Sequence, residues 1–418
     1  MKNGQAKRTI ACVPLIQKAK YAVLLTGTPA LSRPMELFKQ LQALQPSVYQ
    51  NLHEFGKRYC TGGVFGMYQG ASNHEELHAL LKSTIMIRRL KREVLSELPQ
   101  KRRQQVEVFL SLDKDGVKQM RALFVELEDV RRRSCNCNEA EMAEKLKYAE
   151  KQLISKIYTE SGKVKLPVVQ EYLTTILETD CKFLVFAHHQ QMLDGIQSLL
   201  VKKKVGYIRI DGATPAISRH TLATKFQDDQ KIQVALLGIR AAGVGLTLTA
   251  ASTVIFAEMS WTPGDLVQAE DRAHRIGQES AVNVHYLHAH DTVDDLIWDS
   301  VQNKLENLGQ VLDGKEDNLN ASAAPLQSQA LLHRQGTLDT FIFSKRFSNS
   351  RSDPFHSQES AFCNIKSMPA KEAEHPSEST EADNDIDEEH LNVPKALNQN
   401  YLPESSTENV SAKRSKFS

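Results

Sequence analysis

Apolar positions are unevenly spaced along the chain, and their spacing divides it. Between about 163 and 310, short apolar runs alternate with segments of helix length. FLVF at 183–186, the run at 207–210, QVALL at 233–237, TVIFA at 253–257 and the segment 282–287 are expected as strands. Helices are expected over 166–178, 190–201, 218–227 and 264–274. Runs of Val, Ile and Leu without strict alternation, separated by helices, predict an α/β domain with a parallel sheet covered on both faces. Ligands of such sheets gather at the carboxyl ends of the strands.

Upstream the pattern is thinner. AVLL at 22–25 runs into TGTPA and reads as a strand meeting a tight turn. Pro34 is placed to open the next helix, with Leu37, Leu41 and Leu44 on one stripe. One strand and two helices do not complete a doubly wound lobe, so 1–60 is expected to be the remnant of a first lobe. Residues 61–162 read as a helical brace and insertion. After the Gly-rich stretch at 61–73, Leu77, Leu80, Leu81, Ile85, Ile87, Leu90, Val94 and Leu98 support helix until Pro99, and 112–162 is long, charged and helix-compatible. From 311 to 418 Ser, Asn, Glu, Asp, Lys and Pro dominate, and a disordered tail is expected, interrupted by an apolar island from Leu331 to Phe343.

With 418 residues, 41% of them apolar, the chain can bury at least one full core. A net charge of +1 hides basic clusters at 82–103, 125–133, 199–204 and 272–275 and an acidic stretch at 372–389, so nucleic acid is not excluded as a partner. Of six cysteines only Cys135 and Cys137 are close together, which fits no zinc-finger spacing and points to a reducing compartment. No signal peptide and no run of membrane-spanning length is found, and a soluble chain is expected.

The strongest candidate chemistry lies in QAEDRAHRIGQ at 268–278. Arg272 and Arg275, three apart, would share one face of a helix and reach toward the phosphates of a nucleotide across a cleft, with Gln268 fixing the geometry. No G-x-x-x-x-G-K-S/T occurs, so the chain has groups that complete a nucleotide site but not the loop that cradles phosphates. Gly243 and Gly245 in GIRAAGVGLTLTAA, 238–251, allow close backbone approach to a ligand or lobe, or simply a tight turn. Thr26 and Thr28 either cap a turn or couple the nucleotide pocket to a nucleic-acid face. The basic stripe Arg88, Arg89, Lys91 and Arg92 reads as a solvated face, a brace between lobes or a phosphate contact. His188 and His189 lack a third and fourth ligand, and no metal site is expected. In RQGTLDTFIF, Gln335, Leu338, Phe341 and Ile342 fall at offsets of zero, three, six and seven, as an apolar plug for a partner's groove or a stray cluster. KRSK at 413–416 is compatible with nuclear targeting.

Together LLTGTPA at 24–30, MIRRLKREVLSELPQK at 86–101, FLVFAHH at 183–189, RIDGAT at 209–214, AAGVGLTLTAA at 241–251 and WTPGDLVQAEDRAHRIGQ at 261–278 resemble the helicase motifs of the Swi/Snf-related ATPases, and among them the annealing-helicase branch. The resemblance covers roughly 1–343 and implies two RecA-like lobes, with 163–310 the helicase C-terminal lobe. It implies ATP and Mg2+ as cofactors of the complete enzyme, branched or fork DNA as substrate, rewinding at stalled replication forks, a monomer and a nuclear location. Thr26, Gly27 and Thr28 match the third motif; Gly243, Gly245 and Leu246 the fifth; Gln268, Arg272 and Arg275 the sixth, where the arginines would act on ATP. Asp211 and Gly212 fall near DNA in the second lobe. Gln335, Leu338, Phe341 and Ile342 resemble a motif that docks on the replication clamp PCNA, with Ile342 in place of the usual second aromatic. The family's Gly-Lys-Thr loop and Asp-Glu box belong upstream of Met1, so the chain is expected to be a fragment or short isoform unable to hydrolyse ATP alone. Without the branch's zinc finger and HNH nuclease it is not expected to cut DNA. The alternative is a non-catalytic adaptor that binds DNA and PCNA.

Overall fold

The computed structural model describes residues 1–324 apart from 64–65, 111–113, 138, 242–244, 315–318 and 320. Seven of its segments pair into one sheet: β1 (Lys101–Val108), β2 (Phe183–Ala187), β3 (Gly206–Ile210), β4 (Ile232–Gly238), β5 (Thr253–Phe256), β6 (Val282–Ala289) and β7 (Ala321–Ala324). Every pairing is parallel, in the order β3-β4-β2-β5-β6-β1-β7.

Eleven helices accompany it among the described residues. α1 (Lys7–Lys18), α2 (Phe38–Leu44), α3 (Leu52–Tyr59), α4 (His74–Thr84) and α5 (Lys91–Val94) precede the sheet. α6 (Lys114–Cys135), α7 (Ala140–Leu177), α8 (Gln190–Lys202), α9 (Ala216–Asp228), α10 (Pro263–Glu270) and α11 (Val293–Asp313) connect or cover its strands. No helix of the described residues is long and apolar enough to cross a membrane.

Two-sided burial explains the uninterrupted apolar runs. Leu184, Phe186, Ile208, Ile210, Leu237, Val254, Phe256, Val284 and Tyr286 pack on one face with residues of α6, α7, α9, α10 and α11. The alternate residues Phe183, Val185, Val234, Leu236, Ile255 and Leu287 pack on the other with the end of α7 and with α8. Phe186, Phe256 and Tyr286 stack across three strands at centroid separations of 5.3 and 4.8 Å. A third core joins Leu37, Phe38, Leu41, Phe55, Tyr59, Leu77 and Leu81 to Leu308, Val311 and Leu312 at the end of α11, so residues 30–86 are packed on the same unit as the sheet.

The α/β fold with its covered parallel sheet is as expected, but four local expectations are overturned. AVLL at 22–25 is not a strand: Val23 and Leu25 are 82% and 92% exposed, and no described strand lies beside it. An apolar run makes a strand only where a neighbour takes its hydrogen bonds. The helix expected through 85–98 stops at Thr84, continues extended and regains only the single turn of α5. Within the expected brace, KRRQQVEV forms the interior strand β1, paired in register from Lys101 with Val282 to Val108 with Ala289. The sheet thus draws on residues from 101 onward. The fourth is the helix expected over 264–274, which ends at Glu270, short of the arginines.

Candidate nucleotide site

Pro263, at the first position of α10, suits a site where a backbone N–H is unused, and the helix runs only to Glu270. Arg272 and Arg275 therefore do not share a helix face as their spacing suggested. They stand on a succession of turns, in which Arg272 N–H donates to Ala269 O (3.1 Å) and Arg275 N–H to Ala273 O (3.1 Å). Gly277, at φ 96, takes the left-handed conformation that glycine tolerates and ends the helical course.

The buried amide of Gln278 fastens this turn. Its Nε2 donates to Thr249 O, Ala251 O and Ala273 O at 3.1, 2.9 and 3.1 Å, and its Oε1 accepts from Ser280 N. Leu248 N–H donates to Arg272 O at 3.0 Å. The arginine turn and the segment after Gly245 are thus one unit. Arg275 is exposed and lies 3.4 Å from Thr247 Oγ1 through its Nη1. Burial, then the charge of Arg275, lowers the pKa of half-buried Arg272, against a smaller opposing effect of Asp271. Two guanidiniums that oppose each other's charge make a place where an anion is favoured. Gly245, at φ 21, has open space where a Cβ would stand; Gly243 lies outside the described residues.

Beneath the turn sits Glu270, with no exposed surface. Arg103 grips it with two bonds of 2.7 and 2.8 Å, Lys101 Nζ donates at 2.7 Å, and Tyr286 hydroxyl donates at 2.5 Å. Burial alone would raise its pKa, but the charges of Lys101 and Arg103 and their hydrogen bonds hold it at about 2. The adjacent Asp271 takes Lys91 at 3.0 Å and Lys101 at 3.2 Å, while Lys91 Nζ also donates to His274 O at 2.7 Å. His274 Nε2 is 2.8 Å from Pro99 O. The basic segment 91–103 is therefore anchored on the residues that flank Arg272.

On the other side of α10 stands the TGTPA segment. Gln268 Nε2 donates to Thr28 Oγ1 at 2.7 Å, and Thr28 N–H donates to Thr26 Oγ1 at 3.2 Å. Gly264 N–H donates to Leu31 O at 2.9 Å; a Cβ on Gly264 would lie 2.4 Å from Leu31 Cδ2 and 2.7 Å from its Cα. The glycine is what lets the two segments touch.

Other candidate residues fall elsewhere. Arg88 is held by Asp313 at 2.7 and 3.2 Å, the geometry of a brace between the extended segment and the end of α11, whereas Arg89 is exposed. Asp211 is buried and turned inward: it accepts from Arg209 Nε at 2.9 Å and Ala213 N at 3.0 Å, and Gly212 beside it is exposed. Burial would raise the Asp211 pKa, but these bonds hold it below the ordinary range. His188 and His189 share the buried Glu258, which accepts both backbone N–H groups at 2.8 Å and His189 Nδ1 at 2.7 Å. Gln335, Leu338, Phe341 and Ile342 lie outside the described residues. Glu270, Lys101, Arg103, Tyr286 and Gln278 were not singled out from sequence. Their only signal was an acidic pair inside a basic motif and a basic run with no assigned counter-charge.

Residues 1–157 match the SNF2-related domain, and residues 165–277 match the helicase conserved C-terminal domain. The chain is 44% identical over 331 residues to the DNA annealing helicase and endonuclease ZRANB3 of Mus musculus, covering 77% of this chain and 30% of that protein. It is 45% identical over 318 residues to the SWI/SNF-related matrix-associated actin-dependent regulator of chromatin subfamily A-like protein 1 of Xenopus laevis, covering 74% of this chain and 32% of that protein. To the homolog of the latter in Caenorhabditis elegans it is 44% identical over 321 residues, 74% of this chain and 44% of that protein. The chain spans 30% to 44% of the length of these relatives. It belongs to the SNF2-related, helicase-like family.

Proposed function

We propose that this chain is the guanidinium-bearing part of an ATP-driven DNA-annealing translocase that acts on stalled replication forks in the nucleus. The observation that carries the reading is the hydrogen bond of Gln268 to Thr28, on the same short helix whose end is pinned by Glu270 just before Arg272. In this reading Arg272 and Arg275 stabilise negative charge on the terminal phosphates of ATP. Gln268 passes the state of that pocket to Thr26 and Thr28. The like-charged, partly open arginine turn beside Gly245 fits one side of a polyphosphate. The sequence offers no G-x-x-x-x-G-K-S/T to hold the other side or to position Mg2+, so turnover needs a loop from outside this sequence. Arg89 and Gly212 are assigned to DNA, Arg88 and Asp211 to supporting the surfaces that present them. Residues 335–342 are assigned to docking on PCNA, with the chain a monomer.

A second reading, a DNA- and PCNA-binding adaptor without catalysis, is favoured by the same missing loop. ATP hydrolysis by the purified 418-residue chain, measured with and without fork DNA, separates the two from an autonomous enzyme. No turnover is expected, with DNA binding that weakens steeply as salt rises. DNA-stimulated turnover would refute the need for an external loop. Turnover restored by adding a first lobe that carries the loop favours the translocase over the adaptor.

A further inference from the structure

Three side chains with ligand chemistry converge at the carboxyl end of β6, and the nucleotide reading uses none of them. His288 and His290 are two apart across the strand end, and Asp295 stands in the first turn of α11. Thr292 caps that helix, its hydroxyl accepting from Asp294 N at 3.1 Å. Asp291, at φ 58, bends the backbone so that the helix start returns over the strand. His288 Nε2 lies 2.8 Å and His290 Nδ1 3.2 Å from Asp295 Oδ1, and one ligand atom of each residue falls within 4.8 Å of the others.

We infer that His288, His290 and Asp295 bind a divalent transition-metal ion of the zinc type. Two imidazoles and a carboxylate are a donor set that suits zinc. Bonds of about 2.0–2.1 Å at a tetrahedral ion set neighbouring donors roughly 3.3 Å apart, so the two imidazole nitrogens stand within about half an ångström of that separation from Asp295 Oδ1. The outer partners support the same assignment. Asp295 Oδ2 accepts from Asp291 N at 2.9 Å, which leaves Oδ1 facing the rings. Glu107 Oε1 lies 3.5 Å from His290 Nε2, the nitrogen on the far side of the ring, where a carboxylate fixes the tautomer that ligates through Nδ1. His288 is buried and His290 is 56% exposed, so the site is walled on one side and open to entry and to a water ligand on the other. His288 Nδ1 has no hydrogen-bond partner among the described residues, so the affinity is lower than that of a site whose outer partners are complete. Both rings ligate as neutral groups, through the nitrogen that faces Asp295. The spacing H-x-H-x-x-x-x-D matches no zinc-finger pattern, which is why the sequence did not announce it.

The test is equilibrium titration of the full, metal-free chain with Zn2+ against a chromophoric chelator, repeated with Co2+, whose visible bands report the ligand set. One equivalent should bind, with affinity lowered about tenfold or more by His290→Ala and by Asp295→Asn. The double replacement Cys135→Ser and Cys137→Ser should leave it unchanged. Since His290 is exposed, His290→Ala should keep the thermal midpoint of the metal-free protein. Failure to take up either ion, binding that survives both His290→Ala and Asp295→Asn, or binding lost with the two cysteines would each overturn the assignment.

Discussion

Glu270 is fully buried yet ionised, because Lys101, Arg103 and Tyr286 between them occupy both of its oxygens. Its folded pKa of about 2 lies below the ordinary 4.5, so its contribution to stability is complete above pH 4.5 and is lost as pH falls toward 2. By pH 3 urea unfolding should register a loss on the order of 2 kcal/mol from this group. Glu270→Gln should be less stable at neutral pH, where it strands two cations, and flatter in acid. His188 opens an earlier window. Burial, then the neighbouring His189, lowers its pKa from 6.5 to about 4, so the fold loses stability as pH falls through that interval. In His188→Gln this part of the acid profile should level out. Gly264→Ala drives a methyl group into the Leu31 backbone and is expected to cost about 1–3 kcal/mol. Arg275→Ala, by contrast, removes an exposed side chain; in a chain completed with the phosphate loop, ATP turnover should vanish while the thermal midpoint holds.

Among the elements, α7 depends on one buried cation. Lys165, 1% exposed, donates to Leu287 O at 2.5 Å and to Asp294 at 2.6 Å, joining α7 to the end of β6 and the start of α11. Asp294→Ala leaves that lysine uncompensated, and unfolding in urea should show a loss of about 3–5 kcal/mol. The elements that were legible in sequence share a cause. β2, β4 and β5 are buried on both faces and read as apolar runs, and α8 keeps a helical stripe through Met192, Ile196 and Leu200. β1 was hidden because Lys101 and Arg103 are neutralised by an acid 167 residues or more away in sequence, a pairing that no local pattern displays. Helical period carried too far at the arginines, since the bonds of Gln278 and the conformation of Gly277, not side-chain spacing, shape 271–278. Arg272, Arg275, Gln268 and Thr28 were legible as residue types with a motif spacing. What supports them was not.

At the scale of the whole molecule, the three cores share helices and strands, and the sheet includes a strand from well upstream of the region where most of its strands lie. Limited proteolysis should therefore leave a core that retains Lys101–Val108, because β1 is flanked by β6 and β7. A stable product that begins near 163 would contradict that arrangement. The position of β1 has a mechanical result. The chain arriving from residues 30–86 enters the sheet at Lys101 and Arg103, the two side chains that grip the base of the arginine turn. Strain applied to that incoming strap is delivered through the single turn of α5 and the residues that follow it to the base of the arginine turn, so the guanidiniums sit at the short end of a lever.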